Sequence, residues 1–154
     1  MQTADQKTTS PNDPAVISVV APAYNEETVL PEFHKRLCAV FKGLDCDLEV
    51  VYVNDGSSDR TLAVLHELCA QDERITLVDL SRNFGKEIAM TAGFDHACGD
   101  AVVVIDTDLQ DPPELIPEMI QLWRSGYDIV YAQRTAREGE SWMKRVTASA
   151  FYRI

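Results

Sequence analysis

Residues 101–114 read AVVVIDTDLQDPPE. The apolar, largely β-branched run at 101–105 is too short for a helix and reads as a buried strand. Asp106-Thr107-Asp108 ends it, and Pro112-Pro113-Glu114 suits the first turn of a helix. The segment is therefore a strand, a turn and a helix start, with two carboxylates at the strand's carboxyl end.

The same alternation recurs outward from it. Strands are predicted at 16–21, 48–54, 75–80, 101–106 and 128–132. Helical stretches are predicted at 27–42, 58–71, 86–98 and 113–125, and a further amphipathic stretch at 141–154 also reads as helical. Short β-branched runs alternating with longer amphipathic ones predict an α/β fold with a mostly parallel sheet flanked by helices. At 154 residues, 45% of them hydrophobic, the chain has room for one domain with a sizeable core. Residues 1–14 are polar, carry two prolines and show no periodicity, so they read as a flexible leader to a domain over 15–154.

A formal net charge of -11 excludes a surface built to hold nucleic acid by neutralising phosphates. The excess is uneven, because Arg134, Arg137, Lys144, Arg145 and Arg153 face only Glu138 and Glu140 near the end. Such a basic end fits an anion or a membrane surface, and fits a solvated helix face equally well. The first residues hold no apolar signal segment, and no apolar run reaches the roughly 20 residues of a membrane-spanning helix. The expected location is cytoplasmic, or the cytosolic face of something larger. Cys38, Cys46, Cys69 and Cys98 form no CxxC pair, so no zinc or redox site is indicated, and His34, His66 and His96 fall in helical stretches without an assigned role.

In a parallel sheet, ligands bind at the carboxyl ends of the strands. Those ends carry Pro22-Ala23-Tyr24-Asn25-Glu26-Glu27, Asn54-Asp55-Gly56-Ser57-Ser58-Asp59 and Asp106-Thr107-Asp108-Leu109-Gln110-Asp111. Taken singly, Asn25 or Ser58 could cap a helix, Gly56 could take positive φ, and Asp55 could cap its turn. Asp106 and Asp108 are harder to explain that way. Two carboxylates two residues apart project the same way from the end of a strand and repel each other. A hard cation, Mg2+ or Mn2+, resolves the repulsion by taking their oxygens together with those of a diphosphate, and so favours a nucleoside diphosphate leaving group. Tyr24 could stack on a base, and Asp55 could accept a hydrogen bond from a base edge. Arg82 and Lys86, in the segment LSRNFGKE at 80–87, would lie near the phosphates.

As a set, VVAPAYNEE, VNDGSSDRT, SRNFGKE and DTDLQDPPE resemble the family 2 glycosyltransferases, in their polyprenyl-phosphate branch, which includes dolichyl-phosphate mannose synthase and bacterial undecaprenyl-phosphate glucosyltransferases. The resemblance implies a GT-A (Rossmann-like) fold and an inverting hexosyl transfer to a polyprenyl phosphate. The donor would be a nucleotide-sugar, UDP-sugar in preference to GDP-mannose, with Mg2+ or Mn2+ as cofactor. Pro22, Tyr24, Glu26 and Asp55 would line the nucleoside pocket. Asp106 and Asp108 would hold the metal, with Thr107, Gln110 and Lys86 serving the diphosphate. Arg134 would join Asp106 and Asp108 in catalysis by touching phosphate of donor or acceptor, with Arg137 as its second candidate. Family members continue past this point into acceptor-site and membrane elements, so the expectation is the N-terminal portion of a longer enzyme. Membrane contact, and any homo-oligomer, would come through those further parts.

Two other readings stand beside this one. The chain could bind nucleotide and metal without turning over. It could instead be a nucleotidyltransferase, although such enzymes place a glycine-rich basic loop where this chain has Ala-Tyr-Asn-Glu-Glu.

Overall fold

The computed structural model describes residues 14–133 and the strand Arg145–Ala148. Within them the elements follow in the order β1 (Val16–Ala23), α1 (Leu30–Phe41), β2 (Asp47–Asn54), α2 (Thr61–Gln71), β3 (Ile75–Asp79), α3 (Lys86–Phe94), β4 (Ala101–Val104), a 3-10 turn (Pro113–Leu115), α4 (Ile116–Arg124), β5 (Val130–Gln133) and β6 (Arg145–Ala148).

Four strands form one parallel sheet in the order β3-β2-β1-β4. The central strands β1 and β2 are covered on both faces, which is why their sequences are almost continuously apolar rather than alternating. One face packs Ile17, Val19, Val50 and Tyr52 against Leu30, Phe33 and Leu37 of α1, Leu65 of α2 and Ile116 and Ile120 at the α4 end. The other packs Val20, Val51 and Val53 against Ala89 of α3.

Three expectations need correction. First, among the described residues β4 is an edge strand rather than a fully buried one. Val102 and Val104 share their face with Ser18 and Val20, the face that α3 covers, but α3 packs over β1 and β2 and leaves both valines exposed. Second, β5 does not join the parallel sheet. It pairs antiparallel with β6, which supplies the ladder hydrogen bonds its backbone requires. Third, part of the stretch expected to be helical at 141–154 is the strand Arg145–Ala148.

Helix α3 also ends at Phe94, short of Cys98, because the chain must turn into β4 there. Gly99 N–H donates to Ser18 Oγ at 2.8 Å, and a Cβ on Gly99 would lie 2.6 Å from the Val16 carbonyl oxygen. Only a glycine fits that approach. No described helix is long and apolar enough to cross a membrane.

Candidate active site

The strand order reverses between β1, whose next strand in sequence lies on one side, and β4 on its other side. Such a switch point opens a crevice at the carboxyl ends of the strands. The crevice here is lined by Pro22, Ala23, Tyr24 and Glu26 after β1, Asp55 after β2, Asn83, Gly85 and Lys86 before α3, and Asp106, Thr107 and Asp108 after β4.

The loops around it are locked to one another. Asn25 adopts positive φ, which asparagine tolerates, and its Oδ1 accepts Ser58 N–H at 2.8 Å while its own N–H donates to Ser57 Oγ at 3.0 Å. Glu26 N–H donates to Thr61 Oγ1 at 2.7 Å, and Glu27 Oε2 accepts Arg60 N–H at 2.8 Å. Neither Asn25 nor Ser58 is the residue preceding a helix. The two clasp the first loop to the second.

Asp55 is 3% exposed, and its carboxylate accepts Phe84 N–H at 2.7 Å and Gly85 N–H at 2.9 Å. It thereby holds the loop before α3 over Gly56, whose φ is +62° and where a Cβ would meet the Arg82 carbonyl carbon at 2.2 Å. The Asp55 carboxylate thus ties down a distant loop rather than capping its own turn, where Asn54 Oδ1 accepts Ser57 N–H at 3.2 Å.

Glu26, Asp106 and Asp108 gather carboxylates in the cleft. Burial, and then the negative charges of Asp108, Asp59 and Asp106, push the Glu26 pKa up. Asp106 is not uncompensated, because Lys86 Nζ lies 2.6 Å from its Oδ2. Among the described lining residues, the Lys86 ammonium faces these three carboxylates, which leaves an excess of negative charge. Asp108 Oδ1 accepts Gln110 N–H at 2.9 Å in a turn where Leu109 takes φ of 61°, a conformation a leucine adopts only under strain. An all-oxygen donor set at one edge of a cleft fits a hard divalent cation.

Pro22, Tyr24, Glu26, Asp55, Lys86, Asp106, Thr107 and Asp108 thus share one cleft, as the sequence led us to expect. Tyr24 is 47% exposed, leaving its ring open to a stacking partner. Thr107 is buried, with its hydroxyl donating to the Pro22 carbonyl at 3.4 Å. Gln110 does not line the cleft, and the guanidinium of Arg82 lies over the Phe84 ring at 4.6 Å rather than among the lining residues. Arg134 and Arg137 lie outside the described residues. Ala23, Asn83 and Gly85 line the cleft without having been singled out. Their signal was positional, since each lies within a strand-end segment.

The profile of glycosyl transferase family 2 matches residues 18–152. Among similar proteins, "Uncharacterized glycosyltransferase YkcC" of Bacillus subtilis is 53% identical over 137 residues, 89% of this chain and 42% of that one. "Bactoprenol glucosyl transferase" of Shigella phage SfV is 44% identical over 138 residues, 90% of this chain and 45% of that one. The chain therefore spans less than half the length of these relatives. Among solved structures, the mannosyltransferase PcManGT from Pyrobaculum calidifontis, in complex with GDP-Man and Mn2+, superposes with a TM-score of 0.66 at 24% identity, over 78% of this chain and 35% of that one. S. aureus TarS 1-349 superposes with a TM-score of 0.61 at 24% identity, over 74% and 34%. These likenesses show the fold, a parallel sheet flanked by helices of the GT-A type.

Proposed function

Because the chain belongs to glycosyl transferase family 2, we propose that it is the donor-binding portion of an enzyme that moves a hexose from a nucleotide-sugar, UDP-sugar in preference to GDP-mannose, to a polyprenyl phosphate at the cytosolic face of a membrane, with inversion at the sugar. The relatives named as bactoprenol glucosyl transferases support the lipid acceptor and a glucose-type donor. The observation that carries the donor half is the meeting of Tyr24, Lys86 and the carboxylates of Glu26, Asp106 and Asp108 in one cleft at the switch point.

In this reading Tyr24 stacks on the base, and the loop fixed by Asp55 presents Asn83, Gly85 and Lys86 to the phosphates. Asp106 and Asp108 would hold Mg2+ or Mn2+, which when bound neutralises charge developing on the departing diphosphate. Lys86 has a second use for its charge. Paired with Asp106 in the free protein, it can turn to a diphosphate oxygen when that carboxylate takes up a cation. Arg134 is proposed to meet phosphate of the donor or acceptor. A phosphate monoester with a second pKa of about 6 arrives mostly ionised at neutral pH. The acceptor can then attack without a strong general base, and no histidine lines the cleft.

Calorimetric titration of UDP-sugar with Mn2+, repeated with EDTA, tests this directly. Metal-dependent binding that disappears in Asp108→Ala is expected. Binding that survives both EDTA and the substitution would refute the assignment of Asp106 and Asp108.

A further inference from the structure

Outside the cleft, α1 and the end of α2 bring together three side chains of a different chemical character. His34 and Cys38 lie one turn apart on α1, and Asp72 follows the last residue of α2, its N–H donating to the Leu68 carbonyl. His34 Nε2 is 3.3 Å from Asp72 Oδ2, Cys38 Sγ is 3.5 Å from His34 Nε2, and Cys38 Sγ is 3.7 Å from Asp72 Oδ2. The side chains of His34 and Asp72 are each 12% exposed.

We propose that His34, Cys38 and Asp72 form a binding site for a borderline-soft divalent cation of the Zn2+ class, stapling α1 to the end of α2. A tetrahedral ion with bonds of about 2.0–2.1 Å to nitrogen and oxygen and about 2.3 Å to sulfur needs its nitrogen and oxygen ligands about 3.3 Å apart, and sulfur about 3.6 Å from either. The three observed separations meet those requirements without movement of the backbone. The group is also supported from behind as metal ligands usually are. The buried Tyr52 hydroxyl lies 3.1 Å from His34 Nδ1, fixing the ring and leaving Nε2 for the ion. The Arg74 backbone N–H holds the other carboxylate oxygen, Asp72 Oδ1, at 3.1 Å.

The group the ion replaces is the terminal Arg74 nitrogen, which sits 2.6 Å from Asp72 Oδ2 and 3.3 Å from Cys38 Sγ. Its side chain is 43% exposed and can leave toward solvent. On binding, the Cys38 thiol gives its proton to solvent, and the two negative ligands balance the charge of the ion. Thiolate and imidazole select against Mg2+, so this site and the all-oxygen cleft take different ions. A search for paired cysteine motifs does not find it, because the third ligand arrives from 34 residues further along the chain.

The test is a Co2+ titration of the full chain, reduced, with saturating Mg2+ to occupy the carboxylate cleft. A near-ultraviolet thiolate-to-Co2+ band with visible tetrahedral bands, bleached by Zn2+, is expected. Cys38→Ser should abolish it, Tyr52→Phe should weaken binding about tenfold, and Arg74→Gln should tighten it. On the unsubstituted chain, Zn2+ should slow alkylation of Cys38 and not of the exposed Cys98, read by mass spectrometry. No thiolate band, a band that persists in Cys38→Ser, or equal alkylation of Cys38 with and without Zn2+ would overturn the proposal.

Discussion

Replacing Asp55 with alanine removes the acceptor for two backbone amides at once. The carboxylate is 3% exposed and receives Phe84 N–H at 2.7 Å and Gly85 N–H at 2.9 Å. A hydrogen bond to a charged group contributes about 1.5–3 kcal/mol. The loop that carries the donors is partly exposed, with Phe84 at 38%, so water can reach the freed amides and the lower end applies, about 3 kcal/mol for the pair. With a urea dependence of about 2 kcal/mol per molar for a domain of this size, the unfolding midpoint should fall by about 1.5 M. Asp55→Asn keeps one acceptor oxygen and turns an NH2 toward the other amide, so its midpoint should fall between the two. Urea unfolding followed by circular dichroism gives the midpoints, and hydrogen exchange gives the protection of the Phe84 and Gly85 amides. A midpoint within about 0.3 M of the parent, with both amides still protected in Asp55→Ala, would show that the loop is held by something else.

Three further substitutions probe neighbouring features. Gly56→Ala would place a Cβ 2.2 Å from the Arg82 carbonyl carbon and 2.4 Å from Asn83 N at a φ of +62°, so it should destabilise by more than about 3 kcal/mol in the same urea assay. The Glu26 pKa is raised above its usual value, by burial first and the charges of Asp108, Asp59 and Asp106 next. The stability this group allows is therefore complete below the unfolded value of 4.5 and is lost as pH rises through the higher folded value. Glu26→Gln should flatten that decline in thermal melts of metal-free protein from acid to neutral pH. Lys86→Gln removes the cation paired with Asp106, and a pair this exposed contributes about 1 kcal/mol. In calorimetry Mn2+ alone should bind about fivefold more tightly, while UDP in the presence of Mn2+ binds more weakly.

What could be read in advance follows from how local the causes are. The continuous apolar runs of β1 and β2 have one explanation, burial on both faces, and the parallel sheet followed from them. The run at β4 looked the same, yet Val102 and Val104 are exposed, because the extent of α3 over the sheet is a property of packing that residues 101–105 do not encode. The antiparallel pairing of β5 with β6 was equally hidden, since a four-residue strand carries too little periodicity to show its partner or its direction. The cleft residues were legible as a set because topology sends every parallel strand's carboxyl end to one edge. Their individual roles were not, because the partners are distant in sequence.

The first and second loops show why that distinction matters for chemistry. Asn25, Glu27, Ser57, Ser58, Asp59 and Thr61 are polar and clustered at strand ends, as ligand-binding residues would be, and in the structure they join one loop to the other. The clasp has a product. The Thr61 hydroxyl anchors the Glu26 amide at 2.7 Å, and the Glu26 side chain is left in the cleft, where burial first, and then Asp108, Asp59 and Asp106, raise the cost of its charge. Under the proposed reading, a carboxylate held in such surroundings is preorganised for a cation, because unfavourable charge is present before the ion arrives and is relieved when it does. The clasp residues therefore act on the cleft through position, and a substitution such as Thr61→Ala should weaken Mn2+ binding without removing any oxygen that touches the ion.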